Sequence, residues 1–304
     1  MKNVLNILLA GLFVALLGSE SALAESGSRG ATLRSAPEPK LLMEIHGRIY
    51  PKDTFPAECK DLLSGGPCAA QAFGKVRMVS QLRPDGLVHA TNVFTAPEGD
   101  QVIEESWEKD GRVQRAVIEN RVLQKKSELE IRDGKVHYKV TDLRDHSVKT
   151  SVDDAEENLV VPSTVMSYIR PHFAELERGQ EFPLKVAVLD RRDSFSFVMR
   201  RVKSGKTVAG EDFVVLEMAP VSLIVKAVVD PMQFYLKPAT GELFAFEGKS
   251  ALKRKKGESY EDLKVQTVYD YKVNSYRKTV AVKKDCSEPE WSLKGAPKCE
   301  VKAQ

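Results

Sequence analysis

Residues 162–202 read PSTVMSYIRPHFAELERGQEFPLKVAVLDRRDSFSFVMRRV, and this stretch decides the fold. Its apolar residues recur at intervals of four, four and three, which is the spacing of one helix face; they are Val165, Ile169, Phe173 and Leu176, with Met166 beside them. The spacing predicts a helix over about residues 163–178. A strand hairpin follows at once, and nearly all of the remaining chain reads as β-strand. A single helix packed against a sheet is therefore expected.

The ends of this helix carry recognisable signals. Ser163 is placed to act as the N-cap, and Gly179 follows the last turn, where a left-handed residue is commonly needed. Pro171 lies inside the helix, where its missing N–H and its ring cost about 3 kcal/mol. The sequence therefore predicts a kink near Arg170 or two short helices in series.

Strand patterns fill the chain on both sides of the helix. In LLMEIHGRIY (41–50), apolar residues alternate with polar ones, as in a strand with one buried face. Asp133-Gly134 stands between two such runs and predicts a tight two-residue hairpin turn. Residues 223–229 fit either a buried strand or a short helix. We expect one mainly β domain over 41–275, a curved antiparallel sheet or incomplete β-barrel that one central kinked helix covers.

The first residues of the chain have the features of an export signal. Lys2 precedes an apolar run, and Ala22-Leu23-Ala24 has the small residues of a cleavage site. Residues 1–24 are therefore predicted to be a signal peptide cleaved near Ala24, and 25–40, rich in Ser, Gly, Ala and Pro, a flexible leader. The apolar run is too short to span a membrane well. We expect a periplasmic or secreted bacterial protein that does not span a membrane.

Four cysteines lie after the predicted cleavage site, at Cys59, Cys68, Cys286 and Cys299. An even number in an exported chain favours disulfides. Three pairings are possible, and Cys59–Cys68 with Cys286–Cys299 is preferred because each closes a short local loop. Residues 276–304 would then form a disulfide-tied tail. A zinc site of four thiolates is the rival, although the close spacing typical of zinc ribbons is missing.

The sequence contains no recognisable catalytic motif. None of the five histidines is four residues from another, and no nucleophile elbow or phosphate-binding glycine loop occurs. Glu104 and Glu105 are adjacent on a strand, so their side chains point to opposite faces. We therefore expect no enzyme, no catalytic residue, no metal and no cofactor. The net charge of +3, in a chain with 29% charged residues, does not indicate nucleic acid binding.

The order of elements resembles that of a known family. A β-meander, a helix of the form P-x-x-V-x-x-x-I-R-x-x-F-x-x-L-x-x-G, and hairpins that include GELFAFEG (241–248) resemble a family of exported bacterial domains of unknown function. That family is similar in shape to the outer-membrane lipoprotein-sorting chaperones, whose helix-covered half-barrel holds acyl chains. The resemblance covers roughly residues 41–272. It implies an incomplete antiparallel barrel with an apolar concavity, and no catalytic residue.

The helix stripe has two interpretations: it plugs one face of a sheet, or it forms one wall of a ligand cavity. We predict a non-catalytic protein that binds an apolar or amphipathic ligand, a lipid or lipoprotein acyl chain, in a half-barrel concavity. The residues expected to line the concavity are Met166, Ile169, Phe173, Phe195 and Phe197.

The alternative is a structural or interaction protein of the cell envelope, with a filled core, that acts through its surface. In that case an envelope protein is the partner. The basic run Lys253-Arg254-Lys255-Lys256 would contact an anionic surface such as lipid head groups, or would merely be a solvated hairpin end.

Overall fold

Strands account for most of the structure. A computed structural model describes residues 38–52, 72–202, 206–208, 211–227 and 229–275. The strands are β1 (Lys40–Pro51), β2 (Gly74–Leu82), β3 (Val88–Thr95), β4 (Gln101–Lys109), β5 (Arg112–Asn120), β6 (Lys125–Arg132), β7 (Lys135–Asp142), β8 (Val148–Asp154), β9 (Leu159–Val160), β10 (Phe182–Val188), β11 (Asp193–Arg201), β12 (Lys206–Val208), β13 (Glu211–Pro220), β14 (Met232–Leu236), β15 (Leu243–Lys256) and β16 (Ser259–Asn274). The helices are α1 (Val165–Glu177) and α2 (Leu223–Lys226). The prediction of a mainly β chain is confirmed.

One curved sheet runs through the described residues and does not close into a barrel among them. Its strand order is β8-β7-β6-β5-β4-β3-β2-β1-β16-β15-β14-β13-β11-β10-β9, and β12 pairs with β13 beside this path. All neighbours on the path are antiparallel except β9 and β10. Two meanders thus meet where β1 pairs with β16, for example Ile45 opposite Tyr271. We call β1–β8 the N-terminal half of the sheet and β9–β16 the C-terminal half.

Tight turns join the strands of the N-terminal half. Asp133 and Gly134, between β6 and β7, have φ angles of 51° and 70°. Asp110 and Gly111, between β4 and β5, have φ angles of 52° and 75°. Two successive positive φ angles match the right-handed twist of the paired strands. The turn predicted at Asp133-Gly134 is confirmed.

Helix α1 is continuous through Pro171. Two short helices divided at Pro171 are therefore not found, and a 3-10 turn over Pro162–Thr164 leads directly into α1. The kink expected near Arg170 stays a prediction. Ser163 is inside that turn and is not the helix N-cap. Instead, the Thr164 hydroxyl accepts a hydrogen bond from the Val161 N–H at 3.0 Å.

Helix α1 ends just before Gly179, which has the left-handed conformation predicted for it. Its φ angle is 92°, and its N–H donates to the carbonyl of Leu176 at 2.9 Å. The next N–H, of Gln180, donates to the carbonyl of Glu175 at 3.0 Å. These two bonds satisfy carbonyls that have no partner inside the helix, and together they form a Schellman motif.

The two ends of the sheet approach each other. The Ser151 hydroxyl at β8 donates to the main-chain carbonyl of Arg192 at 2.7 Å, and Arg192 Nη1 donates to the Thr150 carbonyl at 2.9 Å. Arg192 belongs to the turn between β10 and β11. A cluster of buried side chains also joins the ends, among them Leu129 on β6, Leu159 on β9 and Ala187 on β10. The sheet therefore curls on itself around α1.

Several predicted features lie outside the described residues. These are the signal peptide 1–24, most of the leader 25–40, the four cysteines and the tail 276–304. For residues 223–229 the helix interpretation is confirmed and the buried strand is wrong, because α2 is a four-residue helix with no buried side chain. Within the described ranges, no helix combines the length and apolar character needed to cross a membrane.

Candidate functional site

The apolar face of α1 packs on the C-terminal half of the sheet. Of the predicted cavity residues, Met166, Ile169 and Phe173 on α1 are buried there together with Phe197 on β11, and Phe195 is partly buried against the same cluster. The sheet side of the cluster includes Leu184, Met199, Leu216, Phe234 and Leu243. All five predicted residues thus meet in one place. Their role in binding a ligand remains a prediction.

Strand alternation explains why the two phenylalanines of β11 meet α1. Phe195, Phe197 and Met199 occupy every second position and face the helix, whereas Ser196 between them is exposed. We call the side of the sheet that contacts α1 the inner face. Phe197 lies opposite Leu184 in the neighbouring strand β10, so two buried side chains stand side by side.

Apolar side chains at the margin of this cluster are only partly buried. They are Phe195, Val229, Met232 and Phe246, together with Tyr168 and Phe182 beside α1. Phe246 and Met232 lie across Gly248, where an added Cβ would stand 2.6 Å from Phe246 Cζ and 2.8 Å from Met232 Cγ. A glycine at this position leaves room for both side chains. The margin therefore offers apolar surface at the rim of the packed core.

The N-terminal half of the sheet presents polar side chains on its inner face. On β4, three alternate residues, Glu104, Ser106 and Glu108, are buried. Burial raises the pKa of Glu104 to about 7, although a hydrogen bond from Asn92 counters part of the effect. Burial likewise raises the pKa of Glu108 to about 7, against a hydrogen bond from Ser167 and the positive charge of Arg170. Desolvation dominates in both cases because a charged carboxylate loses its hydration inside the protein.

The polar side of α1 faces one of these acids, Glu108. Ser167 Oγ donates to Glu108 Oε1 at 3.2 Å. One turn further, Arg170 Nη2 lies 3.0 Å from Met43 Sδ on β1. Helix α1 therefore stands between two unlike surfaces. The one on the C-terminal half of the sheet is apolar, and the one on the N-terminal half includes the buried carboxyl group of Glu108 beside the thioether of Met43.

The two buried acids are too far apart to act on one bond. Four residues along a strand span about 13 Å, whereas paired catalytic carboxyl groups of glycoside hydrolases are about 5 to 9.5 Å apart. Ser106 lies between them, and its buried Oγ has no hydrogen-bond partner among the described residues. The arrangement suits a buried polar wall better than a pair of acid and base.

Glu108 was not predicted from the sequence as a functional residue. The opposite orientation predicted for Glu104 and Glu105 is confirmed: Glu105 is on the outer face, where Oε1 lies 3.2 Å from His89 Nε2. The burial of β4 alternates strictly from Val102 to Glu108, so its inner face reads V-E-S-E. This alternation was the available signal, but three polar residues on one face ordinarily indicate the solvent side of a strand.

The histidines are not assembled into a metal site. His46 Nε2 lies 3.0 Å from Glu44 Oε1 on an exposed surface, and His89 stacks on Trp107 with ring centroids 4.7 Å apart. His172 is half-buried and stacks on Phe182. Across the part of the chain that the structure describes, no three His, Cys, Asp or Glu residues are grouped as metal ligands would be.

The basic run lies at the end of the β15–β16 hairpin, and most of its charges face carboxylates. Lys253 pairs with Asp262, and Glu261 pairs with both Arg254, at 3.6 Å, and Lys256, at 3.2 Å. Lys255 stands opposite Tyr260 in the hairpin register. Exposed ion pairs of this kind contribute little stability, but they offset the positive charge that an anionic surface would meet. Contact with such a surface remains a prediction.

Among the recesses on the surface of the described residues are two that none of the five predicted cavity residues lines. One, of about 310 Å³, is at the junction of the sheet ends. Its charged lining residues are Lys125, Asp142, Lys149, Asp190, Arg191 and Arg192. The other, of about 350 Å³, is on the outer face beside α2. Its lining includes Val198, Arg200, Pro220, Val221, Lys226 and Val229.

No protein-family model matches the chain, and neither the curated proteins nor the solved structures contain a match to it.

Proposed function

We propose that this chain is a non-catalytic, exported binding protein that holds an apolar or amphipathic ligand between α1 and the inner face of its sheet. A lipid or a lipoprotein acyl chain is the proposed ligand, and the bacterial periplasm is the proposed compartment. We also propose that the shape of the protein is similar to that of the lipoprotein-sorting chaperones. The observation that carries the proposal is the position of helix α1 on the inner face of an open sheet. This helix has apolar residues on one side and polar residues on the other.

An acyl chain would occupy the apolar side of α1. Met166, Ile169 and Phe173 on the helix and Phe197 on β11 already form an apolar contact surface. The partly buried Phe195 extends this surface to the rim, where a ligand would first enter. Apolar surface of this kind favours acyl chains because burial removes each CH₂ group from water, at roughly 0.8 kcal/mol per group.

Space for the ligand would come from movement of α1. The closely packed cluster leaves little room while the helix is in place. On its other side, α1 is joined to the N-terminal half of the sheet by the hydrogen bond from Ser167 to Glu108 and by the contact between Arg170 and Met43. A ligand with a polar head group would place that head near Glu108 and Arg170, since these groups can form hydrogen bonds with it.

A second candidate function is favoured by the burial of the core. Ile169 is only 1% exposed and Phe197 only 4%. A core filled to this degree suits an envelope interaction protein that binds a protein partner through its surface. In that case the five predicted residues only stabilise the fold.

Native mass spectrometry of the mature protein purified from the periplasm, with lipid extraction of the same sample, tests the proposal. An added mass identified as an acyl lipid supports it. Phe195→Ser should reduce ligand occupancy, because Phe195 is at the rim and only partly buried. Val198→Ser is the matched control, since Val198 is half-buried on the same strand but points to the opposite face.

Equal loss of ligand in both variants would indicate general destabilisation and contradict the assignment to the inner face. A protein that carries no ligand, and that takes up none from lipid vesicles, would favour the interaction protein instead. Circular dichroism of each variant shows whether the fold is retained.

A further inference from the structure

The segment between β13 and β14 carries the most exposed large apolar side chains of the described residues. Leu223 is 81% exposed and Ile224 is 82% exposed, and Val221 beside them is 54% exposed. Single exposed apolar residues are common on protein surfaces, whereas three within four positions form a patch. We call residues 221–226 the apolar tip.

The apolar tip is a hydrogen-bonded structure. Its first residue is tied to β11, because the Val221 N–H donates to the Ser196 carbonyl at 3.0 Å. Within the turn, the Lys226 N–H donates to the Ser222 carbonyl at 2.9 Å. The exposure of Leu223 and Ile224 is therefore imposed by the backbone that presents them.

Positive charge lies beside the exposed side chains. Lys226 is in the last turn of α2, and it lines the recess of about 350 Å³ together with Arg200. Arg200 Nη2 lies 2.7 Å from Glu217 Oε1, which offsets part of its charge. The remaining walls of the recess are apolar, with Val198, Pro220 and Val229 among them. A lysine next to exposed aliphatic side chains is complementary to a bilayer, whose anionic phosphates lie next to its acyl chains.

The size of the apolar tip favours a bilayer over a protein. Three aliphatic side chains offer on the order of 300 Å² of apolar surface. A stable protein interface needs about 800 Å² from each partner. A protruding turn also inserts readily into a fluid interface, which adapts to its shape. The area suits weak, reversible attachment of the kind that a single acyl chain provides.

We infer that the apolar tip docks this protein on the surface of a lipid bilayer, with Val221, Leu223 and Ile224 in the interface and Lys226 at the level of anionic head groups. The inference goes beyond the proposed function, because it requires no ligand on the inner face. The tip is nevertheless close to the rim there: Val221 is bonded to Ser196, which stands between Phe195 and Phe197 on β11. Docking would therefore bring that rim to the membrane.

Co-sedimentation of the mature protein with vesicles tests the inference. Vesicles of phosphatidylcholine mixed with phosphatidylglycerol should bind the protein more strongly than vesicles of phosphatidylcholine alone, and added salt should reduce this difference. The double variant Leu223→Asp/Ile224→Asp should bind at least about tenfold more weakly. Lys226→Gln should remove most of the preference for anionic vesicles. Both changes lie on exposed positions, so the fold should be unaffected.

The double variant Val148→Asp/Val152→Asp is the matched control, since these valines are exposed on edge strand β8 at 52% and 58%. It should bind vesicles as the unaltered protein does. Equal binding by the tip variant, or an equal loss in the control, would overturn the inference. In Ile224→Trp, brominated lipid should quench more fluorescence than it does in the unaltered protein, which contains Trp107 and Trp291. Equal quenching of the two bound proteins would also overturn the inference. The tip variants should keep any acyl ligand found by mass spectrometry, so the two proposals fail independently.

Discussion

Ser167 on α1 donates a hydrogen bond to Glu108 on β4, with 3.2 Å between Oγ and Oε1. The bond attaches the polar side of α1 to the N-terminal half of the sheet, while the opposite side of the helix packs on the C-terminal half. Its acceptor is a buried carboxyl whose pKa burial raises to about 7. The attachment of the helix is therefore coupled to the ionisation of Glu108.

Stability should fall as the pH rises through the range between the unfolded and folded pKa values of Glu104 and Glu108. Burial in the folded protein raises the pKa of each of these two carboxyl groups from 4.5 to about 7. Below pH 4.5 both groups are protonated in both states, and their full contribution is present. Above this pH the unfolded chain releases protons that the folded protein retains, so each group costs up to about 3 kcal/mol by pH 7. Urea denaturation across this pH range measures the effect.

Glu108→Gln is the control for this pH dependence. The amide keeps a carbonyl that can accept the hydrogen bond from Ser167, and it does not ionise. The variant should lose about half of the decrease in stability between pH 4.5 and 7, with Glu104→Gln removing the remainder. Carboxyls with lowered pKa, such as Asp142 beside Arg144, are already ionised throughout this range. An unchanged slope in the double variant would show that other groups cause the pH dependence.

Ile169→Ala should destabilise the protein by about 3 kcal/mol, because Ile169 is fully buried between α1 and the sheet and its loss leaves a cavity. Leu223→Ala removes a side chain of similar size from an exposed position and should change the free energy of unfolding by less than about 0.5 kcal/mol. Chemical denaturation of both variants gives the comparison. Similar values for the two changes would mean that the helix does not pack as described.

Gly47→Ala should destabilise the centre of the sheet. A Cβ at this position would stand 2.6 Å from Val76 Cγ1 and 2.9 Å from the Tyr269 ring, so both neighbours would have to move. We expect a cost of about 1 to 3 kcal/mol. Adding Val76→Ala makes room, and the double variant should therefore lose less stability than the sum of the single changes. Strict additivity would contradict the close contact.

Ser151→Ala tests the junction between the ends of the sheet. The change removes the hydrogen bond to the carbonyl of Arg192, and we expect a loss of about 1 kcal/mol in the free energy of unfolding. Thr150→Ala, one residue earlier, leaves intact the main-chain carbonyl that accepts from Arg192 and should cost less. If the two variants have equal stability, the Ser151 bond does not hold the junction.

Local features were predictable from the sequence where a few adjacent residues determine them. Asp133-Gly134 requires only the positive φ angles of a two-residue turn, and the α1 stripe requires only helical spacing. The inward position of Glu108 was not predictable in this way, because it depends on the polar side of a helix almost sixty residues later. The prediction that Ser163 is the helix N-cap was wrong for a related reason. The Thr164 hydroxyl accepts the hydrogen bond from the Val161 N–H, and α1 begins at Val165.

The pairing of strands that are far apart in the sequence could not be predicted from such local patterns. Each hairpin could be inferred from its turn, but the pairing of β1 with β16 brings together strands from opposite ends of the domain. No short stretch specifies that contact. It is set by the fit of whole meanders, including the space that Gly47 leaves beside Val76 and Tyr269. The five residues predicted to line a cavity nevertheless lie in one cluster, because helix and strand periodicities each fix side-chain orientation locally.

The central position of β1 also determines when the sheet can be completed during synthesis. Ile45 is made early, but its partner Tyr271 follows more than two hundred residues later. Until β16 has left the ribosome, one edge of β1 has no strand to pair with. Such distant pairing slows folding and leaves the nascent chain exposed to proteases and aggregation. A chain that must remain unfolded long enough to pass through an export channel would gain from the same delay.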